Sequence, residues 1–312
     1  MVLFLDHIKD VDHITIEGKK EDVELFMSDG SSIYSQCKSC KIDNWDKEYR
    51  RCFTDALRTL SKADERGCVG LIYATNIIRP LGRKAESGDF PNVDNLWIRY
   101  DELSEKSRTI ADNLIKNSGY KIDVKKLSFR IIGFTGETER NKTRVVYDNI
   151  RNFIAGSRIN NNVDINHIFS SWFDIVSFNA SDEDTSKTIS KKHIVWLFIQ
   201  DQMEMGLPSL NVGDVSTETE LKPTYGELID QYAERVDFVS GVLSDYNEWA
   251  IDKPRGPSTI EDFVCSNWES YKKELYAPGL SDEYQQMLIQ IILKKILNQR
   301  EFIRKIKEAT NL

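Results

Sequence analysis

ITIEGKKEDVELFMSDGSSIYSQCKS, residues 14–39, is the stretch on which the fold turns. HITIEG (13–18) alternates and is rich in β-branched residues, so it reads as a strand. EDVELFM (21–27) alternates again, and SDGSS behind it supplies an Asp-Gly turn. SIYSQCK (32–38) returns as a third strand and completes an antiparallel meander. Further out, WDKEYRRCFTDALRTLSKADERG (45–67) sets Tyr49, Cys52, Phe53, Ala56, Leu57 and Leu60 at helical spacing and ends on a glycine. CVGLIYATN (68–76) is a nearly continuous apolar run, as expected of a strand buried on both faces. The order is β-β-β-α-β, preceded by a short apolar stub, VLFLDHIKD (2–10), that suits the end of a helix.

The rest of the chain is read more coarsely. A loop rich in Gly, Pro and charge (79–95) precedes a helix near 101–117, a buried strand LSFRIIGF (127–134) and a helix TRVVYDNIRNFIAG (143–156). From about 157 the pattern is mainly helical, with polar loops at 179–190 and 205–224. The segment 281–309 reads as one helix, with a Ser cap and acids at its start and bases at its end, in keeping with the helix dipole. Its broad apolar face fits its own domain's core first and a docking surface second.

At 312 residues the chain exceeds one ordinary core, so two domains are expected, 1–156 and 157–312. Charged residues make up 29% with both signs mixed, which excludes a disordered chain. A net charge of −8 argues against a surface that binds nucleic acid everywhere, yet permits a local basic groove. Basic residues do cluster, at Lys47, Arg50, Arg51, Arg58 and Lys62, and again at Lys121, Lys125, Lys126 and Arg130. Each cluster also fits a solvated face balanced by neighbouring acids. MVLFLDHIKD carries no basic leader, no apolar window reaches membrane-spanning length, and five irregularly placed cysteines suggest no disulfide framework. A cytoplasmic protein with no membrane association is the expectation.

Strand parity sorts the chemistry of the meander. Tyr34, Gln36 and Lys38 share one face of the third strand, and Ile33, Ser35 and Cys37 share the other. Asp22, Glu24 and Phe26 share a face of the second strand, and pairing through the 28–31 turn is expected to set Asp22 across from Lys38. Carboxylates and an amide oxygen are hard ligands suited to Mg²⁺, or to Mn²⁺ in its place. A lysine two residues beyond a ligand can orient a water or hold a phosphate. A half-exposed strand with ordinary surface charges accounts for the same residues.

Cys37 and Cys40 form a CxxC pair, but no second pair or HxxxH lies nearby to complete a zinc site. Lys41 to Asn44 separate the pair from the following helix, against a thioredoxin-like arrangement. A buried structural Cys37 and an incidental Cys40 are expected. His7, His13, His167 and His193 stand singly and read as structural, and no GxxxxGK[ST] or GxGxxG loop is present.

The order of these elements, with E-G, E-D-V-E and Y-x-Q-x-K at their positions in 14–39, resembles the PD-(D/E)xK nuclease domain of bacterial anti-phage effectors. That group includes the endonucleases of cyclic-oligonucleotide (CBASS) defence and the nuclease subunits of Lamassu-type and related ABC three-component systems. The resemblance spans roughly 1–135 and implies a restriction-endonuclease-like α/β domain, a mixed sheet flanked by helices, ahead of a mainly helical domain for docking or oligomerisation. It implies Asp22 as metal-binding acid, Gln36 in the place of the second acid, Lys38 as catalytic lysine, and Glu17 and Glu24 as further acidic positions. It further implies Mg²⁺, double-stranded DNA, an SMC-like ATPase, a small accessory subunit, and a homo-oligomer on activation; the basic cluster with Lys47, Arg50, Arg51 and Arg58 is then expected to track the DNA backbone. Members of the group begin with a full helix, often bearing Gly-x-x-Tyr-Gln, where this chain has VLFLDHIKD.

Overall fold

In the computed structural model the meander forms, with its first strand beginning at Val11 rather than His13 and with residues 17, 18 and 21 of the expected strands outside the described residues. The structure describes residues 1–16, 22–41, 45–93, 95–133, 139–159, 163–181, 187–205, 221, 224, 228, 235–254 and 256–312. Helix α1 (Val2–Asp6) leads into β1 (Val11–Ile16), β2 (Val23–Met27) and β3 (Ser32–Lys38), followed by α2 (Trp45–Asp64) and β4 (Gly70–Thr75). β5 (Asn95–Arg99), α3 (Glu105–Ser118), β6 (Leu127–Ile132), α4 (Glu139–Gly156), α5 (Ile165–Ser181), β7 (Ile189–Ser190) and α6 (Lys191–Met205) come next. Residues 221, 224 and 228 are helical, and further on the described residues form α7 (Arg235–Trp249), α8 (Pro257–Asn267), α9 (Asp282–Asn298) and α10 (Arg300–Thr310).

The seven strands make one mixed sheet in the order β5-β6-β4-β3-β2-β1-β7. β1, β2 and β3 run antiparallel in turn, β3, β4 and β6 run parallel, and β5 and β7 close the two edges antiparallel. Helices flank this sheet, so the architecture is α/β. The chain divides into two units, Met1–Phe153 with Phe169–Lys191, and Ile154–Ile168 with Lys192–Leu312. The boundary expected between 156 and 157 falls just past the first crossing from one unit to the other.

In the first unit, α2 turns Cys52, Phe53, Ala56, Leu57, Leu60 and Ala63 inward, and all are buried. They meet Tyr34, Leu71, Tyr73, Leu127, Phe129 and Ile131 from three adjacent strands. Phe53 lies 5.2 Å from the Tyr73 ring and 5.6 Å from that of Phe129. The alternate residues of β4, Ile72 and Ala74, are buried too, which explains the uninterrupted apolar run. On that opposite face Arg130 pairs with Asp6 of α1 at 2.7 Å, and His7 packs edge-on to Trp97 at 5.3 Å. Arg130 therefore does not join the basic surface at Lys121 and Lys125; it is buried, and Lys126 is held by Asp64 at 2.6 Å.

The second unit is helical throughout its described residues apart from turns. Leu288, Ile289, Ile292, Leu293 and Ile296 of α9 are buried, as are Val239 and Val242 of α7 and Ile260 and Phe263 of α8. The buried Gln285 donates to Leu275 O at 2.7 Å and accepts from Ala277 N at 2.9 Å, so its amide is satisfied inside the unit. Two corrections arise outside the meander. The helix expected over 281–309 is two helices, broken at Gln299 (φ −96°, ψ 9°). NLWIR at 95–99 is a strand that begins on the last residue of the expected 79–95 loop, and the two-residue β7 is a strand within the expected 179–190 loop.

Candidate functional site

The register of the β2–β3 hairpin sets the site. Gly30 takes a positive φ of 84° in the turn, and Asp29 accepts from Ser31 N at 2.9 Å and from Ser31 Oγ at 2.6 Å, fixing the turn's length. Phe26 then faces Ser32, Glu24 faces Tyr34 and Val23 faces Ser35. One step further, Asp22 stands opposite Gln36. Its Oδ2 accepts from Gln36 Nε2 and from Cys37 N, the latter at 2.8 Å. The expected placement of Asp22 across from Lys38 is thus corrected by two residues along β3: Gln36 is the residue opposite, and Lys38 follows on the same face.

Gln36 is only 3% exposed, and Asp22 and Lys38 are half-buried. Nε2 of Gln36 points at Asp22, which leaves its Oε1 as an acceptor, while Asp22 keeps Oδ1. These are two hard oxygens at the end of a sheet, and the donor set fits a cation that retains several waters. Glu24 shares their face one pair inward, about 7 Å further along the strand by its rise, and is buried. Glu17 lies outside the described residues. Among the described residues no group of three or more His, Cys, Asp or Glu side chains comes together as a metal-holding cluster. The Lys38 ammonium has no ion pair or hydrogen bond among the described residues, in contrast to Lys126 or Lys192.

Beyond β2 the sheet continues on the other side of β3. Gln36 pairs with Tyr73 of β4, and Lys38 pairs with Thr75, so Tyr73 and Thr75 share the face of Gln36 and Lys38. Thr75 Oγ1 accepts from Ile77 N at 3.2 Å, and Asn76 bonds the backbone of Cys40. The sequence reading passed over Thr75 and Asn76. Their signal was two polar residues closing an otherwise apolar strand.

Lys47, Arg50, Arg51 and Arg58 are all exposed on α2. At about 100° per residue, Lys47, Arg51 and Arg58 fall within about 40° of one another, with Arg50 about 60° to one side. That stripe lies opposite the buried Phe53, Ala56 and Leu60. Arg51 is engaged by Glu48, and Arg50 donates to Tyr49 Oη at 2.9 Å. The helix thus presents a basic, solvent-facing stripe flanked by two acids, Glu48 and Asp55, that act on Arg51.

The cysteines are corrected in part. Cys37 is exposed as a residue, yet burial, and then the neighbouring Asp22, push its thiol up to about 11. Cys40 is half-buried and its thiol is pushed up to about 11, first by burial and then by the neighbouring Cys52 and Glu48. Burial likewise raises Cys52 and Cys68. A raised thiol pKa means a protonated, unreactive sulfur at neutral pH. Against an ordinary thiol, a rise to about 11 leaves Cys40 with about 100-fold less thiolate. Iodoacetamide at pH 7 with mass spectrometry is expected to modify the exposed Cys265 first and Cys37, Cys40, Cys52 and Cys68 slowly. Rapid loss of the Cys40 thiol would revive a thiol role for the CxxC pair.

Among the described residues no helix is long and apolar enough to cross a membrane. Comparison of the chain with protein-family models, with curated proteins and with solved structures gives no match.

Proposed function

We propose that the chain is a metal-dependent DNA endonuclease, the effector of a bacterial anti-phage defence system, hydrolysing phosphodiester bonds of double-stranded DNA when activated by partner subunits. The observation that carries this reading is the grouping of Asp22, Gln36 and Lys38 on one face at the end of β3, in a β-β-β-α-β frame. Asp22 Oδ1 and Gln36 Oε1 would hold Mg²⁺ or Mn²⁺, with Glu24 and Glu17 as further acidic positions. The bound ion would polarise the scissile phosphate and lower the pKa of a water. Lys38 would place a positive charge where an anionic phosphate gains negative charge during hydrolysis, and would orient the attacking water. Gln36 fixes the Asp22 carboxylate through Nε2, so the acid meets its ligand in one rotamer. The basic stripe of α2 supports backbone contact with DNA, and such contact weakens steeply with salt.

The resemblance of residues 14–39 to anti-phage nucleases supplies the cellular context: an SMC-like ATPase, a small accessory subunit, and oligomerisation on activation. The helical second unit is the part left for docking in that scheme.

Supercoiled plasmid incubated with the protein and Mg²⁺ or Mn²⁺ is expected to become nicked and then linear, and to stay intact in EDTA. Cleavage that persists in EDTA would contradict the metal-dependent reading.

A second reading is a non-catalytic subunit that keeps this fold and docks the ATPase. It is favoured by the engagement of Asp22 Oδ2 with Gln36 and Cys37 N, which gives the acid a structural task of its own. On that reading Lys38→Ala leaves both partner binding, in a pull-down, and protection of cells against phage unchanged.

A further inference from the structure

The last pair of the β3–β4 ladder is Lys38 with Thr75. β2 has already ended, its final pair with β3 being Val23 with Ser35. Lys38 is therefore held by the described ladder on one side only, and strand termini are where ladders open first. Two residues beyond it the side chain of Asn76 takes over the work of a strand. Its Nδ2 donates to Cys40 O at 2.8 Å, and its Oδ1 accepts from Cys40 N at 2.9 Å. A carboxamide offers one donor edge and one acceptor edge, as a peptide group does, so one side chain can close both backbone groups of a single residue. Asn76 is 8% exposed, so water reaches these groups poorly if the amide is removed. Thr75 Oγ1 turns the chain directly behind β4 by accepting from Ile77 N, which helps present Asn76 to Cys40.

We infer that Asn76 is a positioning residue, whose clamp on the Cys40 backbone adds a rung to the ladder and fixes Lys38 for the proposed cleavage. The inference rests on the endonuclease reading. It gives Asn76 no contact with metal or DNA; the residue acts through the strand that carries Lys38. It also gives the CxxC stretch a role through the peptide of Cys40 rather than its sulfur.

Two measurements on the full chain test it, with Asn76→Ala and with Asn76→Asp, which keeps the acceptor for Cys40 N and loses the donor to Cys40 O. In amide hydrogen exchange the Cys40 amide is expected to open about 10-fold more readily in Asn76→Ala, with amides in the middle of β4 unchanged. In cleavage of supercoiled plasmid with Mg²⁺, kcat is expected to fall about 10- to 100-fold in Asn76→Ala, with KM within about twofold. In a Lys38→Ala background the same substitution should cost less than about twofold further, because its target is already gone. Should Asn76→Ala fail to fold, Asn76→Asp carries the same comparisons with a smaller expected effect. Unchanged exchange at Cys40 would overturn the clamp. Faster exchange with unchanged kcat, or a full additional loss in the Lys38→Ala background, would overturn the positioning role. Equal cleavage by the wild type and Lys38→Ala would overturn the endonuclease reading and the positioning role with it, while the exchange measurement would still decide the clamp by itself.

Discussion

Asp22→Ala is expected to remove Mg²⁺-dependent cleavage and to weaken the fold, whereas Asp22→Asn should remove cleavage with little loss of stability. The carboxylate has two tasks that the two substitutions separate. Through Oδ2 it accepts from Gln36 Nε2 and from Cys37 N. Alanine leaves the buried Gln36 amide without that partner, at a cost of about 1–3 kcal/mol. Asparagine keeps a neutral oxygen for the same bonds but no longer offers a charged ligand, and a fall of at least about 100-fold in cleavage is expected from losing it. Urea unfolding beside the plasmid assay reads both effects. Full activity in Asp22→Asn would remove this residue from the chemistry and leave it the structural role alone.

Arg130→Met is expected to lower stability by about 3–5 kcal/mol, the range for breaking one side of a buried ion pair. The Arg130 side chain is 3% exposed and that of Asp6 is 23% exposed, so the pair is shielded from solvent. The guanidinium also donates to Leu96 O at 3.1 Å and to Ile131 O at 3.2 Å, joining α1, β5 and β6. Removing it strands the Asp6 carboxylate against the sheet. Replacing both partners, as Arg130→Met with Asp6→Leu, should recover part of the loss, because no charge then remains without a partner. Chemical denaturation measures it, and a loss below about 1 kcal/mol in the single variant would mean the pair contributes only as a surface pair does.

The meander, α2 and β4 were legible because each carries its own period in a short window: alternation for β1 to β3, helical spacing for α2, an unbroken apolar run for β4. What went astray depended on distant or very local geometry. The face of Gln36 and Lys38 followed from parity, but its partner on β2 depended on where the turn begins and ends. Asp29, by capping Ser31, shortens the turn's freedom and brings Asp22 to Gln36 instead of Lys38. The burial of Arg130 could not be read from LSFRIIGF, since its partner Asp6 lies at the other end of the sequence distance spanned by the sheet. NLWIR is a short edge strand beside a polar loop, where strand and loop compositions overlap, and it is recruited by pairing with β6. The break at Gln299 has no Pro or Gly to announce it. Asn76 shows in the sequence only as a polar residue closing an apolar strand, because the partner groups it satisfies are backbone atoms, which leave no trace in residue type.

The central claim is that Lys38 acts on a phosphodiester beside Asp22 and Gln36. Cleavage of supercoiled plasmid by the wild type and by Lys38→Ala, in Mg²⁺ or Mn²⁺ and at matched folded concentration, tests it most directly. The account predicts nicked and linear DNA from the wild type and a rate lower by about 100-fold or more from Lys38→Ala. Equal cleavage by both proteins would contradict it.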